Sequence, residues 1–330
     1  MGNPESHSYD EVNHSPNLDH YEIMKPVVSI TELPNFLTSE KGKKFIRGIN
    51  RKESCIDGRV DPFGAQGSAG SSIDAEKDPE VAAMLTEKEA EFKDGKISRT
   101  QYFDILASAM PSRALMENEA NMIRNGELDE ITYHPGCGAA NKYLVDHGVE
   151  NASPEEVNYV ARKFVENKVA ILENMSGKKI KISESKAEGD HQEVVTYVDS
   201  TKRLDLIVKD SDVQLPNGFL ISPSLLNNDP LEIVKQVMIS LSIAFNSHHG
   251  KGLKYFSENP PYPILLVDCK ENPLPKGLKA IIESKVSEFL AKMRKSEAVK
   301  KENISIPDNI IEIKNIDVVI PPDEDLPMAA

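Results

Sequence analysis

Residues 128–148 read LDEITYHPGCGAANKYLVDHG, and the hydrophobic period changes in the middle of the passage. From Leu128 to His134 the pattern alternates, with Ile131 and Tyr133 on one face and Thr132 and His134 on the other, as a strand requires. From about 139 to 147 the spacing is helical and closes on His147-Gly148. A strand that hands His134-Pro135-Gly136-Cys137-Gly138 directly to a helix is the join of an α/β unit. In open α/β sheets ligand sites lie beyond the carboxyl ends of strands, where Gly136 and Gly138 here permit tight backbone geometry.

Upstream, residues 35–49 place Phe36, Leu37, Phe45 and Ile46 on a helical period, and a short strand over Lys52 to Ile56 would deliver Cys55 and Asp57 at its end. Residues 60–75, rich in Gly, Ser, Ala and Asp, read as a loop. Helices follow from Asp78-Pro79 to Gly95, from the Ser98/Thr100 caps to Met110, and from Ser112 to Arg124. Downstream, Ser153 and Glu156 form a capping box for a helix over 154–174. Strands are then expected at 178–183, 193–199, 204–208, 218–221, 262–268 and 310–320, with helices at 229–246 and 276–299. The alternation predicts an α/β fold with a central, mostly parallel β-sheet flanked by helices. The expected organisation is a flexible arm over 1–33, one α/β domain over 34–320 with a possible sub-boundary near 177, and a flexible tail over 321–330. No internal repeat is visible, since the Cys-x-Asp-x-Arg string at 55–59 has no second copy.

With 330 residues, 39% hydrophobic and 28% charged, the chain can bury a full core. A net charge of −14 argues against a nucleic-acid partner, because tracking phosphates needs clustered Lys and Arg. The longest apolar run, Ile264 to Val267, is far short of a membrane span, and the polar start carries no signal-like apolar region; a cytoplasmic protein is the expectation. Three cysteines cannot form an even disulfide framework, which points to metal binding, catalysis or inert burial.

Two of the three thiols fall in the chemically dense strings. Cys55, His134 and Cys137 would give a zinc ion two sulfurs and one nitrogen, leaving the fourth tetrahedral position open. His-x-x-Cys alone is a weak signal. Paired with Cys55-Ile56-Asp57-Gly58-Arg59 at the end of another strand, it is a strong one.

The pair of strings resembles the zinc signature of the β-class carbonic anhydrases, Cys-x-Asp-x-Arg followed at a distance by His-x-x-Cys-Gly, and is similar also to the site of the cadmium-tolerant diatom enzymes. Here the matching residues are Cys55, Asp57, Arg59, His134, Cys137 and Gly138. The resemblance covers about residues 50–140 and implies a β-carbonic-anhydrase-like parallel α/β fold, a homodimer or higher oligomer, and reversible hydration of CO2 to bicarbonate by a metal-bound hydroxide. It implies Zn²⁺ as cofactor, with Cd²⁺ or Co²⁺ as substitutes, and catalytic roles for Asp57, which accepts a hydrogen bond at the metal, and Arg59, which holds that aspartate. Charge balance agrees: two thiolates make zinc a weaker acid, so a neighbouring group that stabilises bound hydroxide gains importance, and Arg59 would relieve its repulsion with Asp57. Gln66 and Gly138 are the expected substrate-side residues, and Val60, Phe63 and Tyr133 are candidates for an apolar wall. The chain departs from the family in the short 60–66 link before Gly67-Ser68-Ala69-Gly70, where either a strand is missing or the Ala-Gly loop lies elsewhere.

Other chemistry-bearing residues have plainer readings. Cys269 at the end of a buried strand reads as a core thiol, while His147 and His248-His249, each before glycine, read as helix-end residues. His191 has no visible partner in the sequence. The same metal site would also suit hydrolysis of carbonyl sulfide or carbon disulfide, and a catalytically silent member would use the fold to hold a partner protein.

Overall fold

Eight parallel strands among the described residues carry the architecture. The computed structural model describes residues 25–46, 48–55, 65–185, 193–206, 208, 211–246 and 250–320. Its strands are β1 (Lys52–Ser54), β2 (Ala65–Gly67), β3 (Glu130–Tyr133), β4 (Lys181–Glu184), β5 (Val195–Asp199), β6 (Gly218–Ile221), β7 (Tyr262–Cys269) and β8 (Ile311–Val318). Its helices are α1 (Leu33–Leu37), α2 (Pro79–Lys93), α3 (Arg99–Ser108), α4 (Arg113–Arg124), α5 (Gly138–Asp146), α6 (Pro154–Ser176), α7 (Pro230–Ala244), α8 (Gly252–Glu258), α9 (Leu278–Lys295) and α10 (Glu297–Glu302). The chain is therefore α/β, with parallel sheets flanked by helices.

The expected single sheet is divided in two. One sheet has the order β2-β1-β3-β4 and the other β6-β5-β7-β8, every pairing being parallel. These are the same winding used twice: in each half the second strand pairs outside the first, and the third and fourth follow on its other side. A repeat absent from the sequence is present in the strand order, because parallel α/β topology constrains only where apolar strands and helices fall. The halves touch where the two outer edges meet. Ser222 N–H donates to Gly67 O at 2.8 Å and Gly67 N–H donates to Ser222 Oγ at 3.0 Å. A Cβ on Gly67 would lie 1.7 Å from Leu220 O, so the contact exists only because that residue is glycine.

Burial follows the strand period. On β7, Ile264 and Leu266 face the main helical core, while Leu265 and Val267 face a second core built with Leu33, Leu37, Phe45, Leu204 and Leu215. The N-terminal segment is thus part of the fold earlier than expected: Val27 bridges Gln214, Val28 N–H donates to Gln214 O at 3.0 Å, and Leu33 is buried. Of the expected arm over 1–33, residues 1–24 lie outside the described residues, as does the expected tail over 321–330.

The expected helix over 35–49 splits, α1 ending at Leu37 and a 3₁₀ turn spanning Gly42–Phe45, because the chain doubles back until Gly42 packs on Phe36 O with no room for a Cβ. Among the described residues of the expected strand at 204–208, the pairing is a single antiparallel bridge from Leu204 to Ile46. The long helix α6 is as anticipated, with both halves of the Ser153/Glu156 capping box made, Pro154 in its first turn and Gly177 in the left-handed conformation at its end. Its buried stripe of Val157, Val160, Phe164 and Leu172 contains one exception, Lys168.

Candidate metal centre

The centre lies at the carboxyl ends of two adjacent strands. β1 and β3 pair in register, Lys52 with Glu130 and Glu53 with Ile131, so Cys55 just past β1 and His134 just past β3 emerge side by side. Cys137 follows one turn later as the N-cap of α5. The ligand atoms of Cys55, His134 and Cys137 all lie within 4.8 Å of one another, and all three residues are buried.

The geometry fits a tetrahedral metal. Cys55 Sγ and Cys137 Sγ are 3.9 Å apart, far beyond a disulfide bond, and all three cysteines are free thiols. Two thiolates about 2.3 Å from one zinc ion stand about 3.8 Å apart across a tetrahedral angle. His134 Nδ1 lies 2.9 Å from Pro135 O. A carbonyl only accepts, so Nδ1 carries the proton and Nε2 presents its lone pair, the tautomer a ligating imidazole needs.

Two backbone features favour charge on sulfur, while the balance at Cys55 runs against it until a cation is present. Gly70 N–H donates to Cys55 Sγ at 3.3 Å. Cys137 sits at the positive end of α5, where a thiolate is stabilised. The Cys137 thiol alongside and burial push the Cys55 thiol well above its ordinary range, while His134 pulls it down. Two adjacent buried thiols resist ionising together, and a divalent cation supplies the compensating charge, so binding there releases protons.

The remaining expected residues divide. Asp57 and Arg59, with Val60 and Phe63, lie outside the described residues. Gly138 begins α5 beside the ligands, and a Cβ there would come 3.5 Å from Ile243 Cδ1, so α7 of the second half packs over this end of the site. Tyr133 is half-buried at the end of β3. Gln66 is not brought to the three ligands. Its amide donates to Asn50 O at 2.6 Å and Glu127 O at 3.3 Å, ahead of β1 and β3, and accepts from Ser224 Oγ at 2.8 Å, in the turn after β6. The expected hydrogen bond from Gln66 to substrate is corrected accordingly: the side chain is fully buried and joins the two halves instead. The expected loop over 60–75 contains a strand, the three-residue β2, so of the two alternatives for the 60–66 link the missing strand does not hold; β2 leads into the 3₁₀ turn Ala69–Ser72 that carries Gly70 to the site.

Beneath the centre lies a group that the sequence reading passed over. Lys168 Nζ reaches Glu53 Oε1 and Oε2 at 2.9 and 2.8 Å and Glu119 Oε2 at 2.8 Å, with all three side chains fully buried. Burial lowers the affinity of Lys168 for its proton, but Glu119 and Glu53 outweigh it and the ammonium persists. Of the two carboxyls facing that one cation, Glu119 holds a proton: burial and the Glu53 charge raise it to about 8 against the pull of Lys168. The signal available in the sequence was a lysine in the middle of an apolar helical stripe.

Cys269 is a buried thiol beside Asn272 O, and His147 caps α5 with its ring edge-on to Tyr143, both as expected. His191 and His248-His249 lie outside the described residues. No helix among the described residues is long and apolar enough to cross a membrane. Comparison of the chain with protein-family models, with curated proteins and with solved structures finds no match in any of the three.

Proposed function

We propose that the chain is a zinc-dependent carbonic anhydrase, interconverting CO2 and bicarbonate at the Cys55–His134–Cys137 centre. The observation that carries this reading is the convergence of two thiols and one correctly protonated imidazole, from distant strings, at the carboxyl ends of adjacent parallel strands. Three ligands rather than four among the described residues would leave a tetrahedral ion one position for reaction, whereas structural zinc sites are closed. A zinc ion held there would supply Lewis acidity and lower the pKa of water in its open position. The protein's share is to hold the thiolates with Gly70 N–H and the α5 terminus, to fix the imidazole through Pro135 O, and to keep the site buried against α7. Asp57 and Arg59 are proposed to orient the reacting water and to hold that aspartate.

Stopped-flow CO2 hydration by the full chain, compared with His134→Ala, tests the proposal. The expected result is a rate at least about 100-fold above that of the variant, rising with pH. Equal rates would refute it. Turnover of carbonyl sulfide in place of CO2 would transfer the same site to hydrolysis of that heterocumulene.

A further inference from the structure

Two serines tie the buried ion pair to the metal centre. Glu53 Oε1, which Lys168 holds, accepts from Ser68 Oγ at 2.7 Å and Ser72 Oγ at 3.3 Å, and Ser72 Oγ also reaches Ser68 Oγ at 3.2 Å. Those serines bracket the 3₁₀ turn that carries Gly70. The turn is an uncomfortable one. Ser72 has φ +71°, a left-handed conformation that costs a residue with a Cβ, and such strain persists only where the surroundings enforce it. Gly70 has φ +53°, and a Cβ on it would meet Ile73 Cγ2 at 2.7 Å and Cys137 Sγ at 3.4 Å. The turn thus runs beside both sulfurs, with Gly70 N–H pointing at Cys55 Sγ.

We propose that Glu53, locked by Lys168, is a positioning residue for the metal centre: through Ser68 and Ser72 it holds the strained turn that aims Gly70 N–H at the Cys55 thiolate. The inference rests on the metal-centre reading above and extends it to how the sulfur donor is tuned. A hydrogen bond to a ligating thiolate withdraws electron density from it and leaves the metal the stronger Lewis acid, so loss of the bond alters both affinity and the electronic structure of the metal–sulfur bond. Two parts of the structure support a dedicated role over simple core filling. An apolar pair would fill the same space without the desolvation of two charges. And both carboxylate-bound hydroxyls belong to the one turn that touches the ligands.

The test is metal binding by the full chain, measured as zinc affinity in competition with a chelator and as the thiolate-to-cobalt charge-transfer band of the cobalt-substituted protein. Ser68→Ala, Ser72→Ala and Glu53→Gln are compared with wild type, and Ser240→Ala, which removes a buried hydroxyl bonded to Thr196 in the second half, controls for loss of a core hydrogen bond. The expected result is zinc affinity lowered about 10- to 100-fold with a shifted band in the three variants, and neither change in the control. The serine variants carry the test if Glu53→Gln does not fold. Wild-type affinity and an unshifted band in both serine variants would overturn the positioning role while leaving the metal centre standing. A wild-type chain that binds neither zinc nor cobalt would overturn both.

Discussion

The two halves of this chain wind their strands in the same order, yet they finish those strands with opposite chemistry. Register relates them: Ser54 lies opposite Gly67 and Val198 opposite Ile221, and a 3₁₀ turn begins two residues after each of those partners. Cys55 in the first half thus corresponds to Asp199 in the second, and by the β3 and β7 registers His134 corresponds to Asp268. The carboxylates of the second half are spent on their own loops. Asp199 Oδ1 accepts from Thr201 N–H at 2.9 Å and Thr201 Oγ1 at 2.6 Å, its Oδ2 accepts from Leu204 N–H at 3.2 Å, and Asp268 Oδ1 accepts from Leu274 N–H at 2.8 Å. In the first half the corresponding atoms converge on one another. Strand ends of a parallel sheet therefore offer a place for a site, and the donor atoms decide whether it is used to bind or to close a turn.

The largest effect that would sharpen this contrast is on metal content. Cys55→Ser should abolish tight zinc binding by the full chain, whereas Asp199→Ala should leave it unchanged; equal loss in both, read by elemental analysis, would break the distinction between halves. Next in size is Lys168→Ala, which leaves Glu53 buried without its cation and should cost about 3–5 kcal/mol in denaturant unfolding. Asp199→Ala strands the Thr201 and Leu204 amides and should cost about 1–3 kcal/mol by the same measurement. The last effect is a dependence on pH rather than a fixed loss. Glu119 keeps its proton up to about 8 when folded but releases it near 4.5 when unfolded, so the unfolded state binds fewer protons across that window and stability falls as pH rises through it. Glu119→Gln should remove this decline: unfolding midpoints of variant and wild type lie closest at acid pH, and the variant gains relative to wild type toward pH 8.

Much of this arrangement was legible in the sequence, for reasons that differ by element. The α6 cap was readable because Ser153, Pro154 and Glu156 act locally, and the three candidate metal ligands because His-x-x-Cys and the Cys55 string carry uncommon side chains at fixed spacing. The division into two sheets was not readable. It is a matter of contacts between segments distant in the chain, among them the close approach of Gly67 to Leu220. β2 was hidden because three residues in a stretch rich in small side chains leave no alternating pattern. Gln66 was misassigned because sequence proximity to the ligands does not fix which end of a strand an amide faces, and its partners at Asn50, Glu127 and Ser224 are known only from the fold. The Lys168–Glu53–Glu119 group shows the same limit, its members meeting only through the packing of α4 and α6 on β1.

We propose one tetrahedral zinc with an open position in the first half and none in the second. X-ray absorption spectroscopy of the zinc-loaded full chain, combined with its zinc stoichiometry, measures this directly. The account predicts one zinc per chain with two sulfur ligands at about 2.3 Å, one nitrogen and one light atom in the fourth place. Two zinc ions per chain, or a zinc closed by a fourth protein sulfur or imidazole, would contradict it.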